Sequence, residues 1–139
     1  MRQEFHTLKI NTNGQKLYEF TKQTLEWIEE LNLKNGILNL SILHTSASII
    51  VQENADPDVQ KDLLNYFDKL VPMKNELYIH TSEGKDDMPA HIKSSLTNNQ
   101  ISLSIQNSNL LLGTWQGLYL FEHRLEKHTR KIIHHYVGD

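Results

Sequence analysis

The sequence predicts a small α+β domain with layered, mostly antiparallel β-sheets and two to three helices. Three observations lead there. Apolar residues recur at helical spacing in two separate stretches, short apolar β-like runs lie between and after them, and the β runs crowd the C-terminal part with a hairpin turn among them. That order favours hairpin pairing over a regular strand–helix–strand alternation. The chain has 139 residues, enough for one domain with a real core, and contains no linker, repeat or low-complexity segment. Residues 1–139 therefore read as a single domain.

The elements follow in order. Residues 3–10 alternate, with Phe5, Leu8 and Ile10 among polar neighbours and one slip, which reads as an entering strand. Asn11 to Gly14 is a turn, with Asn13 as a helix cap. From Gln15 to Leu33, Leu17, Phe20, Leu25, Ile28 and Leu31 recur at helical spacing, predicting a helix of about five turns ended by Asn35-Gly36. Ile37 to His44 reads as a buried strand, and strict alternation puts His44 on the face of Leu38, Leu40 and Ile42. Thr45-Ser46 marks a bend before a second apolar segment, Ala47 to Val51. Asp56-Pro57 opens a helix that turns Val59, Leu63, Leu64, Phe67 and Leu70 inward and stops before Pro72. A strand over residues 76–79 leads into a polar loop, and a short helix leaves from Pro89 and runs to Leu96. Three β segments complete the chain. They are Ile101 to Ile105, Leu110 to Gly113 running on toward Glu122, and Arg130 to Val137, with a turn at Gln106 to Asn109.

Composition narrows the function. A net charge of -3 and the lack of a Lys/Arg cluster give a nucleic-acid backbone nothing to bind. There are no cysteines, which excludes disulfides and thiolate metal sites. The N-terminus lacks a signal peptide's apolar core and no apolar run approaches a membrane span, so a cytoplasmic protein with no membrane partner is expected. Eight histidines are many for this length.

Four clusters carry possible chemistry. The densest, HTSEGKDDMPAHIK from His80 to Lys93, holds two histidines and the acids Glu83, Asp86 and Asp87 between a strand end and a helix start. Its ten residues between His80 and His91 match no standard zinc spacing, and two loop histidines in solvent are the plain alternative. His44-Thr45-Ser46 sits at a strand end, where a half-buried histidine bonded to backbone is the competing reading. In Glu53-Asn54-Ala55-Asp56-Pro57, Asp56 reads as a helix N-cap, whereas Glu53 has no capping role. Gly113-Thr-Trp-Gln-Gly117 flanks Trp115 and Gln116 with glycines, a pattern that marks a bulge or a close approach. No nucleophilic serine or cysteine constellation, P-loop or dinucleotide fingerprint is present. Imidazoles with carboxylates suit a metal such as zinc, or acid–base work near neutral pH. The residues by themselves lead to a small polar site, metallated or not.

At these same residues the runs HTSAS, VQENADPDV, HTSEGKDDMPAHIKSSL and LLLGTWQGLYLFEHR closely resemble the YjbQ family, described as secondary thiamine-phosphate synthases. The likeness covers nearly the whole chain in order. It implies a small layered α+β domain assembled as a homotrimer, with the site near the histidine and glutamate motifs at subunit contacts. The positions it singles out are His44, Glu53, Asn54, Asp56, His80, Asp87, His91, Gln116, Glu122 and Arg124. Of these, His44, His80 and His91 are expected to converge on a divalent metal, Zn or Mg. Glu53, Asp87, Gln116, Glu122 and Arg124 are expected to serve catalysis, the carboxylates by orienting the imidazoles or carrying protons. The chain departs from the family pattern at two turns, Asn98-Asn99 and Asn107-Ser108, where Asn tolerates the left-handed backbone. The implied reaction joins an aminopyrimidine pyrophosphate to a thiazole phosphate and releases pyrophosphate, whose charge Arg124, Lys93 and a metal would balance. Dedicated thiamine-phosphate synthases are TIM barrels, which need about 200 residues or more, so this chain is not one of them. A non-catalytic binding protein for a phosphorylated metabolite or metal, and a metal-dependent hydrolase, are the alternatives.

Overall fold

A computed structural model describes residues 1–139. In chain order its elements are β1 (Arg2–Asn13), β2 (Lys16–Glu19), α1 (Thr21–Glu30), β3 (Gly36–Ile42), β4 (Ala47–Glu53), α2 (Pro57–Leu70), a single 3-10 turn (Asn75–Leu77), α3 (Asp87–Leu96), β5 (Gln100–Gln106), β6 (Asn109–Leu110), β7 (Gln116–Glu122) and β8 (Lys127–Gly138). All strand pairing is antiparallel, and the α+β expectation holds. One sheet has the order β1-β8-β3-β5-β6 and the other β2-β7-β4. None of the helices is long and apolar enough to cross a membrane.

Period-two patterning builds the core. The larger sheet contributes Leu38, Leu40, Ile132 and Tyr136, and the smaller one Ala47, Ile49, Leu118 and Leu120. Phe20, Trp27, Ile28 and Leu33, from α1 and its flanks, complete the same cluster. β7 is an unbroken apolar run because both of its faces are covered: Leu118 and Leu120 enter the main core, while Tyr119 and Phe121 join Leu17 beneath Leu63, Leu64 and Phe67 of α2. Phe67 meets Phe121 edge-on at 5.5 Å, a geometry that adds about 1 kcal/mol beyond area burial.

Three sequence expectations are corrected. The five-turn helix over residues 15–33 is instead β2 followed by the shorter α1. Gly14, at φ +91, reverses the chain so that Leu17 and Tyr18 pair with Phe121 and Leu120. Tyr18 locks this turn: its hydroxyl accepts the Asn13 N–H at 2.7 Å and donates to the Gly14 carbonyl at 2.9 Å. Asn13 therefore ends a strand rather than capping a helix. Pairing with β7 overrides a 3.6-residue periodicity that extended by chance through residues 17–20. The strand over 76–79 is a 3-10 turn, with Ile79 fully exposed beyond it. Finally, α3 begins at Asp87, two residues before Pro89.

Candidate functional site

The site forms where three connections meet at one end of the smaller sheet, the end at which Ala47 of β4 pairs with Glu122 of β7. The loop from the 3-10 turn brings His80 and Glu83. α3 brings Asp87 and His91, four residues apart and hence on one helix face. One ligand atom from each of His80, Glu83, Asp87 and His91 lies within 4.8 Å of the others.

Asp87 is the hub. It is 2% exposed, and its Oδ2 lies 2.8 Å from His80 Nε2 and 3.1 Å from His91 Nε2. Its other oxygen accepts Arg124 Nη1 at 2.7 Å. Burial opposes its charge, but the His80 hydrogen bond and the charges of His91 and Arg124 outweigh burial and hold the carboxyl below its usual range. Arg124 also donates Nε to Asp86 at 2.9 Å and Nη2 to the Glu83 carbonyl at 2.9 Å, so one planar guanidinium fixes the whole 83–87 loop. Gly84, at φ +105, makes the tight path possible, since a Cβ there would lie 3.0 Å from Asp86 Oδ1.

The protons at His91 are constrained. Its Nδ1 lies 3.0 Å from the Thr45 carbonyl, which only accepts, so Nδ1 carries a hydrogen. In a neutral ring Nε2 is then a lone pair, and that lone pair faces the Asp87 carboxylate. Two acceptors at 3.1 Å repel unless a cation, either a proton on the ring or a metal ion, lies between them. A ring N–H held by a backbone carbonyl is also the usual support of a metal-binding histidine. Three of the six spacings in the group, 2.8, 3.1 and 3.6 Å, lie near the edge of about 3.3 Å expected of a tetrahedron with 2.0 Å bonds, and all six fall within 4.8 Å. Two imidazoles with carboxylates fit zinc better than magnesium, which prefers an all-oxygen shell.

Other expected residues lie elsewhere in the chain. His44 stands outside this group: β3 ends at Ile42, the alternation stops, and His44 Nε2 instead accepts the Lys131 N–H at 2.9 Å. Burial, with the Arg130 charge, lowers its pKa. Its neighbour Thr45 reaches the site through its carbonyl. Glu122 lies below the site, 0% exposed, bound by Arg130 Nε at 2.7 Å and Thr12 Oγ1 at 2.6 Å and by the His123 and Arg124 N–H groups. This fully satisfied ion pair ties β7 to β8 and leaves no oxygen for proton transfer. Glu53 pairs in register with Gln116 at the opposite end of β4 and β7, about 20 Å from Glu122 at 3.4 Å per residue. There Gln116 Oε1 accepts the Gly113 N–H at 2.6 Å, and Glu53 Oε2 accepts the Asp56 N–H at 3.1 Å. Both hold turns. Asn54 donates its backbone N–H to the Trp115 carbonyl beside them. A Cβ on Gly117 would lie 3.0 Å from the buried Tyr119 ring and 3.2 Å from Asn54 Cβ, so the second glycine of GTWQG sits in a close approach. Asp56 is the N-cap of α2, accepting the Asp58 N–H at 2.9 Å ahead of Pro57.

Glu83 and Asp86 work alongside the expected residues. The four-residue spacing of Asp87 and His91 was the available signal, hidden by starting α3 at Pro89.

A family model described as "UPF0047 protein YjbQ-like" matches residues 6–139. A UPF0047 protein of Synechocystis sp. is 45% identical over 138 residues, 99% of this chain and 94% of its own. The UPF0047 protein YugU of Bacillus subtilis is 38% identical over 84% of this chain and 86% of its own. A solved YjbQ/UPF0047 family structure from Clostridium acetobutylicum superposes with a TM-score of 0.83 at 32% identity, covering 96% of this chain and 99% of that one. The chain belongs to the YjbQ-like UPF0047 family.

Proposed function

We propose that this chain is a divalent-metal-dependent enzyme acting at a pyrophosphate group, with the thiamine-phosphate synthase-like transfer as its reaction. The observation that supports the reading is the convergence of His80, Glu83, Asp87 and His91, one ligand atom of each within 4.8 Å of the others, with His91 Nδ1 held by the Thr45 carbonyl so that Nε2 is the atom turned toward Asp87. In the transfer, a C–N bond forms between the thiazole nitrogen and the methylene of the pyrimidine. The C–O bond to pyrophosphate breaks, and its electron pair leaves with the pyrophosphate. Zinc held by His80, Asp87, His91 and Glu83 would supply the positive charge that the leaving oxygens need. Thr45 fixes the His91 tautomer, and Arg124 holds Asp87 ionised and correctly turned.

The assembly belongs to the same reading: a cytoplasmic homotrimer. Ile79, fully exposed beside His80, and the partly exposed His80 and Glu83 leave this end of the chain open. Glu53 and Gln116 stand at the far end of the smaller sheet, and in this reading a neighbouring copy brings its own Glu53 and Gln116 to the imidazole–carboxylate cluster. Light scattering should give a trimer, and a stable monomer at micromolar concentration would overturn this part.

One observation favours a binding protein instead. Both basic groups expected to neutralise pyrophosphate are committed: Arg124 to Asp86 and Asp87, and the buried Lys93 to Asp68 at 2.6 Å. Pyrophosphate release from the two substrates, measured after chelation and after adding back Zn²⁺ or Mg²⁺, separates the readings. Metal-dependent release that is lost in Asp87→Asn supports the enzyme. Thermal protection by the substrates without release supports the binding protein.

A further inference from the structure

The largest cleft in the chain, about 520 Å³, lies apart from the imidazole–carboxylate cluster, between the C-terminal half of α1 and the β5–β6 hairpin. Its volume is that of an ordinary small-molecule site. Ile28 and Leu110, both buried, give it apolar surface, and Leu25 extends that surface outward. Its polar groups are Glu29, Asn32, Asn109 and Ser108, so the one charged lining residue is an acid. Glu29 takes part in none of the chain's ion pairs. α1 has no basic residue in its last turn, and the negative end of its dipole lies at this end of the helix. The Ser108 hydroxyl is buried without a hydrogen-bond partner.

From this we infer that the cleft is a binding site for a small organic amine with an apolar, ring-sized body. An ammonium group offers three donors and no acceptor. The cleft answers with the Glu29 carboxylate, the amide oxygens of Asn32 and Asn109, and the helix C-terminal dipole, while Leu25, Ile28 and Leu110 cover the body. A carboxylate ligand would meet Glu29 and the negative helix end with no basic residue in the lining to balance it. The site is independent of the metal centre, and its occupancy would not require turnover.

Phenethylamine is the test ligand, with phenylacetate and phenethyl alcohol as the anionic and neutral counterparts of the same size. Titration into ¹⁵N-labelled protein should give saturable shifts confined to residues 25–32 and 108–110. The amine should bind about tenfold more tightly than the alcohol, and phenylacetate should not bind. Glu29→Gln should bring the amine down to the affinity of the alcohol. Glu26→Gln removes the same charge from the same helix, but Glu26 faces Lys22 and does not line the cleft, so this variant should bind as wild type does. Equal binding of amine and carboxylate, shifts centred elsewhere, or equal losses in the two variants would overturn the assignment.

Discussion

Lowering the pH from 7 to 5 should destabilise this fold chiefly through two imidazoles remote from solvent. His134 is 1% exposed, with Nε2 2.8 Å from Thr24 Oγ1 and the rings of Phe20, Trp27 and His6 around it. Burial first, then the nearby His6, lower its pKa from 6.5 to about 4. His123 bonds Ser48 at 2.9 Å, and burial, with the charges of Lys93 and Arg130, lowers its pKa to about 3. His123 Nδ1 is buried without a partner, so a proton placed there would gain no hydrogen bond, whereas the Ile132 backbone offsets part of the cost of charging His134. Because the folded values are depressed, the unfolded chain takes up protons near pH 6.5 that the folded chain refuses. The stabilisation is therefore complete above about pH 6.5 and falls as the pH drops toward the folded values. At 1.36 kcal/mol per pKa unit, each ring loses about 2 kcal/mol by pH 5, or about 4 kcal/mol for the pair. Glu122, whose folded pKa lies below the carboxyl value of 4.5, loses its contribution only below that pH, so the windows separate. Urea unfolding at one fixed protein concentration measures the effect. His134→Gln, whose amide can still bond Thr24, should remove about half of the loss. A midpoint unchanged between pH 7 and pH 5, or a variant with the full slope, would refute the reasoning.

Three further outcomes are expected. Asp56→Ala removes the α2 N-cap and should cost about 1 kcal/mol in urea unfolding while leaving zinc binding unchanged; a variant that melts like the wild type but no longer binds would place Asp56 in the site. Ser108→Gly, at φ 64, relieves a left-handed side-chain position and removes an unpaired hydroxyl, so unfolding should shift by about 1 kcal/mol toward greater stability. Arg124→Lys replaces a planar fork that reaches Asp86, Asp87 and the Glu83 carbonyl with a single point charge, and zinc affinity measured by competition with a chelator should fall about tenfold or more.

The sequence carried β5, α2 and its Asp56 cap in local signals, clean alternation in residues 101–105 and an acid directly before a proline, but the segment read as running from Leu110 toward Glu122 is two strands, β6 and β7, in different sheets. It misled at residues 15–20, where Leu17 and Phe20 fit a helical repeat but answer to β7 and the main core respectively. Nothing local records that β7 has room for a third strand. Within the site, the ligand-dense loop was legible because its acids and imidazoles lie close in sequence. His44 was misplaced because alternation was carried past the end of β3. The role of Glu122 depends on Arg130 and Thr12, eight and 110 residues away, a pairing that only the folded sheets reveal.

The functional account rests on the proposal that His80, Asp87 and His91 share a divalent metal. Crystals soaked in zinc and measured at the zinc absorption edge test it directly. The account predicts one strong anomalous peak per chain, about 2.0–2.2 Å from Nε2 of His80, Nε2 of His91 and an oxygen of Asp87, with Glu83 or water completing the shell. A peak only at His44 or another surface histidine, or no peak with Nε2 of His91 still 3.1 Å from Asp87, would contradict it.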